Sequence, residues 1–240
     1  MNYIGSKIRL SNFIYETIVE VAGKDLHGYT FCDLFAGTGT VGKIFRGKVK
    51  KIISNDREYY SYILNRSYWE NPNNLNSHLF IEELNKLQGC SGFIFDEYSE
   101  NGKAGRLYFS QFNGQKIDAI RQKIQYLKNT GLIDETQYFS LLASLIIGAD
   151  KVANTASVYS AYLKQLKTTA RKEIKIKPVG GSKMVAQASE VFQEDGNSLI
   201  RKIMSLYGIY KMVSIPHPRF RSQKHQLSSM TTEYIHILSK

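Results

Sequence analysis

The 240-residue sequence contains only two cysteines, Cys32 and Cys90, which lie far apart and lack the paired spacing of zinc ligands. Its five histidines are scattered, with no pair at metal-ligand spacing. We therefore expect neither a disulfide framework nor a bound metal. The longest apolar run near the middle, 141–149, is about half the length of a membrane span, and the N-terminus lacks a signal-peptide core. These two absences favour a cytoplasmic protein with no membrane partner.

Acidic residues are scarce relative to basic ones, since 32 lysines and arginines face 21 aspartates and glutamates, for a formal charge of +11. This imbalance favours a polyanionic partner, with nucleic acid as the first expectation. A generally basic protein without such a partner is the alternative, because net charge reports on association rather than on fold. The hydrophobic content of 42% is enough for the core of one domain with an insertion.

The most informative stretch is 31–42, Phe-Cys-Asp-Leu-Phe-Ala-Gly-Thr-Gly-Thr-Val-Gly, an apolar strand end followed by a glycine-punctuated turn and a helix start. Gly37 and Gly39 allow a ligand to approach the backbone and permit positive φ angles. A second predicted strand ends at Asp56, whose carboxylate can bind a ribose. A glycine pair after a strand also occurs without any nucleotide, so the motif alone leaves both interpretations open.

Hydrophobic periodicity predicts alternating elements typical of a parallel sheet covered by helices. An amphipathic helix is predicted over 8–22 and is followed by a strand at 29–35, a helix at 41–45, a strand at 51–55 and a helix at 59–69. Two further helices are predicted at 117–128 and 135–148, as part of a helical subdomain. The sequence therefore predicts an α/β fold.

Five motifs in order resemble the adenine-specific DNA methyltransferases of the D12, or Dam-like, class, and the similarity covers about residues 1–213. The motifs are Asn-Tyr-Ile-Gly-Ser-Lys at 2–7, Asp-Leu-Phe-Ala-Gly-Thr-Gly at 33–39, Asn-Asp at 55–56, the run from Ala153 to Lys164, and Phe-Gln-Glu-Asp-Gly-Asn at 192–197. The resemblance implies a Rossmann-like, S-adenosylmethionine-dependent methyltransferase sheet with a helical DNA-recognition insertion. We expect a cofactor-binding part at 1–69, the helical and basic insertion at 70–184, and a return to the core at 185–240.

The resemblance also implies a set of cofactor contacts. The backbone from Ala36 to Gly39 would approach the methionine moiety, Asp56 the ribose hydroxyls, and Asp195 the adenine amine. Asp33 would contact the cofactor's amino group or, alternatively, serve as a turn or cap acid. The full set of expected cofactor-binding residues is Tyr3, Lys7, Asp33, Phe35, Ala36, Gly37, Gly39, Asp56 and Asp195.

A basic stretch between Ser160 and Lys183 carries seven lysines and arginines against the single acid Glu173. Such a stripe can follow DNA phosphates, although a solvated charged helix face is the alternative. The resemblance favours contact with double-stranded DNA and admits a restriction–modification partner. The residues expected to bind DNA are Tyr162, Lys164, Lys167, Arg171 and Lys172.

The family's catalytic tetrapeptide, Asp-Pro-Pro-Tyr or a close variant, does not occur in these 240 residues. The expected region contains Pro216, His217 and Pro218, with Arg219 in the aromatic position and Phe220 one residue beyond. The candidate acceptor residues are therefore Ser214, Ile215, Pro216, His217, Pro218 and Phe220.

We accordingly expect a chain that is truncated or disrupted after about Val213, with an atypical C-terminal segment and an incomplete sheet. The predicted function is site-specific methylation of the exocyclic amine of adenine in DNA, with S-adenosylmethionine as methyl donor. A remnant that binds cofactor or DNA without methyl transfer is one alternative. A methyltransferase that acts on RNA is the second.

Overall fold

The computed structural model describes residues 10–70, 77–156, 161–179, 188–207, 211–216 and 234–239. Within these ranges the helices are α1 (Ser11–Ala22), α2 (Thr40–Phe45), α3 (Tyr59–Glu70), α4 (Ser77–Lys86), α5 (Phe93–Tyr98), α6 (Gln111–Asn129), α7 (Glu135–Val152) and α8 (Gly196–Tyr207). The strands are β1 (Thr30–Asp33), β2 (Lys51–Asn55), β3 (Ala188–Phe192), β4 (Lys211–Pro216) and β5 (Tyr234–Ser239). The predicted α/β class is confirmed.

The strands form one sheet in the order β3-β2-β1-β5-β4. β2 pairs in parallel with both β1 and β3, whereas β5 pairs antiparallel with β1 and β4. Since β4 and β1 are both antiparallel to β5, they run in the same direction. The carboxyl ends of four strands therefore reach one edge of the sheet, where ligands of open α/β sheets bind.

The chain divides into two compact units. The core unit contains the sheet with α1, α2, the start of α3 and α8, and the helical unit runs from Arg66 through α7 and the segment that follows it. In the core unit, Phe31 and Phe45 are fully buried, and their rings stack with centroids 4.2 Å apart. Leu199 and Ile203 of α8 are buried with Ile53 of β2.

The helical unit is organised by capped helices. The Ser110 hydroxyl accepts a hydrogen bond from the Asn113 N–H at the start of α6. Asp134 and Gln137 form a reciprocal capping box at the start of α7, which satisfies donors that a helix N-terminus leaves unpaired. The apolar faces of α6 and α7 supply buried side chains that include Ile120, Ile124 and Leu141. None of the helices in the described ranges is both long and apolar enough to cross a membrane.

Several elements differ from the sequence-based prediction. α6 begins at Gln111 rather than at residue 117, because Ser110 supplies the cap. α7 extends to Val152, and β1 ends at Asp33 rather than at Phe35. Strand β3, which precedes the acidic turn at 192–197, was not predicted, and neither was α8, which begins inside that turn.

Candidate cofactor site and basic segment

The turn between β1 and α2 is fixed by backbone groups of the neighbouring strand. The Ala36 N–H donates to the Asn55 carbonyl at 2.8 Å, and the Gly39 N–H donates back to the Ala36 carbonyl at 2.8 Å. Gly37 and Gly39 have φ angles of 51° and 69°, in the left-handed region that disfavours residues with a side chain. The two glycines therefore perform the conformational role predicted from the sequence.

The Asp56 carboxylate joins this turn to the end of β2. One oxygen accepts a hydrogen bond from the Gly37 N–H at 2.8 Å, and the other accepts one from the Glu58 N–H at 3.0 Å. A carboxylate offers about four acceptor positions. Asp56 therefore holds the turn in place and keeps acceptor capacity for further donors, such as ribose hydroxyls.

Asn55 is 1% exposed, and its side chain connects the ends of β1 and β3. Its amide nitrogen donates to the carbonyls of Leu34 and Glu194 at 3.0 and 3.1 Å, while its amide oxygen accepts from the Glu194 N–H at 3.0 Å. The sequence analysis included Asn55 in a family motif but predicted no role for it. The structure shows that it positions both loops at this edge of the sheet.

Two residues of α3 hold the carbonyl of Gly37 and were missed by the sequence analysis. The Ser61 hydroxyl donates to this carbonyl at 2.6 Å, and the Asn65 amide donates to it at 3.3 Å. Both side chains are buried, at 0% and 1% exposure. Their spacing of four residues on a predicted helix was the available signal, because it places them on the same face.

The other two candidate acids occupy contrasting environments. Asp33 is 2% exposed at the end of β1, and its carboxylate accepts a hydrogen bond from the Phe35 N–H at 3.3 Å. Asp195 is exposed and caps α8, because its Oδ1 accepts from the N–H groups of Asn197 and Ser198, both at 3.1 Å. Asp33 therefore makes the turn contact expected of its alternative role. Cys32 precedes Asp33 in β1, and its thiol is buried. Burial and the negative charge of Asp33 raise the pKa of this thiol, which keeps it neutral.

The residues present fit an S-adenosylmethionine-like group. A Cβ built on Gly37 would meet nothing within 4 Å, so open space lies directly against the turn. Phe35 packs near Gly196, where a Cβ would come within 3.4 Å of the ring, so the start of α8 adjoins the turn. The carboxylates of Asp33, Asp56 and Asp195 lie at or after the ends of β1, β2 and β3, and carboxylates can accept hydrogen bonds from amine and hydroxyl donors such as those of this group.

The candidate acceptor region lies partly on β4. Ser214, Ile215 and Pro216 belong to this strand, and Ile215 pairs with Ile235 of β5, which itself pairs with Asp33. Ile215 is therefore two strand spacings, about 10 Å, from Asp33. Tyr3, Lys7, His217, Pro218 and Phe220 lie outside the described residues.

The basic segment, defined here as residues 161–179, contains no helix or strand, so the alternative of a charged helix face does not apply. The side chains of three asparagines, two of them buried, bind its backbone. Asn113 donates to the carbonyls of Ala170 and Lys172 at 3.0 and 2.8 Å and accepts from the Ile174 N–H at 2.9 Å. An irregular segment is thereby given fixed backbone partners, as buried polar groups require.

The other two asparagines act in the same way. Asn154 donates to the carbonyls of Leu107 and Leu163, both at 2.9 Å, and accepts from the Lys167 N–H at 3.0 Å. Asn85 of α4 binds both backbone groups of Ile176 at 2.9 and 3.0 Å. Sequence reasoning identified the charges of this segment but not the amides that hold it.

The five candidate DNA-binding residues differ in their surroundings. The Tyr162 side chain is 40% exposed, and its ring lies 4.9 Å from that of Tyr108. The Lys167 ammonium donates to the Thr155 carbonyl at 2.6 Å, so it contributes to the structure of the segment. Lys164, Arg171 and Lys172 are exposed, and the first two line a cleft.

Comparisons with known proteins place the chain in a family. The chain is 48% identical over 204 residues to the type II methyltransferase M.NlaIII of Neisseria lactamica, a match that covers 85% of this chain and 61% of that protein. It is 34% identical over 230 residues to the type II methyltransferase M.CviAII of Paramecium bursaria Chlorella virus 1, covering 94% and 65%. It is 34% identical over 256 residues to the type II methyltransferase M.FokI of Planomicrobium okeanokoites, covering 100% and 38%.

The chain thus spans less than two thirds of the length of each of these relatives. No solved structure matches it. In the described ranges, no group of three or more histidine, cysteine, aspartate or glutamate side chains is placed to hold a metal ion. The family model of D12 class N6 adenine-specific DNA methyltransferases matches residues 3–208. The chain therefore belongs to the D12 class of N6 adenine-specific DNA methyltransferases.

Proposed function

We propose that this chain binds S-adenosylmethionine at the turn between β1 and α2 and contributes to methylation of the exocyclic amine of adenine in double-stranded DNA. Membership of the family implies a methyl donor. The observation that carries the choice of donor is the Asp56 carboxylate, which is held beside the open face of Gly37 by two backbone N–H groups. S-adenosylmethionine would supply an electrophilic methyl group to the adenine amine.

In this proposal the chain's own residues bind and orient the cofactor. Asp56 accepts from the ribose hydroxyls, and Asp33 accepts from the amino group of the methionine moiety. Asp195 accepts from the adenine amine through the carboxylate oxygen that does not cap α8. Asn55, Ser61 and Asn65 act indirectly, because they fix the backbone groups that face the cofactor.

The helical unit and the basic segment are proposed to bind duplex DNA as a recognition insertion in a Rossmann-like core. The exposed side chains of Lys164, Arg171 and Lys172 support this role, since cationic groups on a preorganised backbone can contact phosphates without a large ordering cost. The net charge of +11 acts in the same direction by attracting the polyanion. Tyr162 supplies a partly exposed ring in the same segment.

The catalytic step separates two versions of the proposal. The 240 residues contain no Asp-Pro-Pro-Tyr sequence, and Ser214, Ile215 and Pro216 of β4 occupy the expected region. The Ser214 hydroxyl can accept a hydrogen bond, whereas the side chains of Ile215 and Pro216 cannot. We therefore propose that this chain alone binds cofactor and DNA, with methyl transfer weak or absent.

The test is isothermal titration of the purified chain with S-adenosylmethionine, followed by transfer of a tritiated methyl group to mixed genomic DNA. Binding without transfer is the expected result. Binding with transfer would show that β4 and the residues after it form a working acceptor site. Asp56→Asn should bind the cofactor more weakly, whereas the control Asp25→Asn should bind it as tightly as the unaltered chain. If Asp56→Asn also bound as tightly, the proposed cofactor site would be wrong.

A further inference from the structure

An open cleft of about 760 Å³ lies in the helical unit, where the start of α6 and the basic segment both contribute walls. Its lining combines three carboxamides, two cations and an aromatic ring that is half exposed. These side chains are Gln111, Phe112, Gln115, Lys164, Gln165 and Arg171. The cleft therefore lies in the unit that we propose to bind DNA.

The side chains of this cleft match the chemistry of base edges. A glutamine carboxamide pairs with the donor and acceptor of adenine in the major groove, and an arginine fork pairs with the two acceptors of guanine. Glu100 also lines the cleft. A carboxylate accepts from the amino group of cytosine but repels a phosphate. The mixed charge of the cleft therefore favours base edges over the phosphate backbone.

Hydrogen bonds within the protein orient two of the side chains that line the cleft. The Gln111 side-chain oxygen accepts from the Asn101 amide at 2.9 Å, and the Arg171 Nε donates to the Leu166 carbonyl at 3.2 Å. Among the residues that the structure describes, the terminal amino groups of Arg171 and the amide nitrogen of Gln111 make no further hydrogen bond. Donors are thus presented on side chains whose other polar atoms are engaged.

The main chain behind the cleft is fixed as well. The Gln115 carbonyl accepts from the Cys90 N–H at 3.1 Å, and a Cβ at Gly89 would come within 2.8 Å of the Gln115 Cβ. On the opposite wall, Asn113 and Asn154 bind the backbone on either side of Gln165 and Arg171. Both walls therefore have the fixed backbone that discrimination between bases requires.

We infer that this cleft reads base edges of the DNA recognition sequence and that Gln115, Gln165 and Arg171 are residues that determine specificity. The inference rests on the proposed function, because it takes duplex DNA as the partner. Lys164, the second cation of the cleft, contacts a phosphate next to the base that is read. Phe112 offers the apolar contact suited to a thymine methyl group.

The test is selection of bound duplexes from a random-sequence DNA library by the full chain with S-adenosylmethionine present. The unaltered chain is expected to enrich a defined sequence. Gln115→Ala and Arg171→Lys are each expected to reduce discrimination at one base position about tenfold or more, since a bidentate contact is lost. Arg171→Lys retains the charge, so its salt dependence of binding should stay unchanged.

Matched controls separate base reading from general binding. Gln122 lies on α6 two turns after Gln115 and is exposed outside the cleft, and Lys175 is an exposed cation of the basic segment that does not line it. Gln122→Ala and Lys175→Ala should leave the enriched sequence unchanged. Lys164→Ala should weaken binding of all duplexes by a similar factor.

The outcomes distinguish this inference from the proposed function. If the unaltered chain enriches a sequence, and the cleft variants enrich the same one with undiminished base preferences, the inference is overturned and the proposed function stands. Cofactor binding without any duplex binding would overturn the DNA part of the proposed function, and the inference with it. Tighter binding of a duplex RNA library than of the DNA library would have the same consequence.

Discussion

The turn between β1 and α2 and the basic segment are both irregular stretches held by asparagine side chains, but they differ in what else holds them. Asn55 acts on loops that already emerge together from parallel strands. The basic segment has no strand or helix of its own, and the side chains of Asn85, Asn113 and Asn154 bind its backbone at several points. The turn is therefore supported by the sheet, whereas the basic segment is held largely by side-chain contacts with backbone groups.

The two regions also differ in electrostatics. Carboxylates dominate at the sheet edge, where we propose that Asp33, Asp56 and Asp195 accept hydrogen bonds from the amine and hydroxyl donors of the cofactor. Cationic donors dominate in the basic segment, where Lys164, Arg171 and Lys172 are exposed. Each region thus presents the partner of the group it is proposed to bind. The comparison predicts that substitutions will separate cofactor binding from DNA binding.

The largest effect is expected from Asn113→Ala. It removes three hydrogen bonds and leaves buried backbone groups at Ala170 and Ile174 without partners, which should lower the free energy of unfolding of the helical unit by about 3 to 5 kcal/mol. Urea denaturation followed by circular dichroism measures this. DNA affinity should fall while cofactor affinity is retained. The exposed residue Asn129 on α6 provides the control Asn129→Ala. A similar loss of stability in this control would show that the effect is not specific to the hydrogen bonds of Asn113.

A large effect restricted to the cofactor is expected from Asp56→Asn. The charged acceptor is lost, and one of the two contacts with the Gly37 and Glu58 N–H groups is weakened. S-adenosylmethionine affinity should fall about 10- to 100-fold, in keeping with a charge-assisted hydrogen bond. Titration calorimetry gives the dissociation constant. DNA affinity should remain within about twofold, and an equal loss of both would contradict independent regions.

Two lysines of the basic segment should separate structure from phosphate contact. Lys167→Ala removes the bond to the Thr155 carbonyl and should destabilise the helical unit by about 1 kcal/mol. Lys164→Ala should leave stability unchanged but reduce the slope of log affinity against log salt by about 0.9. Fluorescence anisotropy of a labelled duplex at several salt concentrations measures the slope. If both variants changed stability and salt dependence in the same way, Lys167 would not have the structural role, or Lys164 the phosphate contact, that we propose.

The smallest effect is expected from Ser61→Ala. The Gly37 carbonyl loses its 2.6 Å hydrogen bond but keeps the one from Asn65. The turn should therefore keep its conformation but become less rigid. Cofactor affinity should fall about three- to tenfold, which corresponds to one hydrogen bond of roughly 1 kcal/mol. Calorimetry with Ser205→Ala, an exposed position on α8, provides the control. An unchanged affinity would mean that Ser61 does not help to orient the turn.

The sequence predicted the turn between β1 and α2 well, because strand, turn and helix are consecutive there. Gly37 and Gly39 adopt the positive φ angles that were expected of them, and Asp56 lies beside the turn as the motif indicated. Ser61 and Asn65 were missed because their partner, the Gly37 carbonyl, lies on a different element. Strand β3 was missed because its five residues, Ala-Ser-Glu-Val-Phe, form a short run with no alternation of apolar and polar side chains.

By itself, the sequence determined the α/β class, the family motifs and the excess of positive charge, since these depend on residue order and composition. Only the tertiary structure decided which backbone groups Asn85, Asn113 and Asn154 bind, because their partners are distant in sequence. It also decided that Lys167 supports the basic segment while Lys164 and Arg171 line a cleft. The physical reason is that a hydrogen bond depends on distance in space, and a chain that folds back on itself brings together groups whose sequence separation carries no local signal.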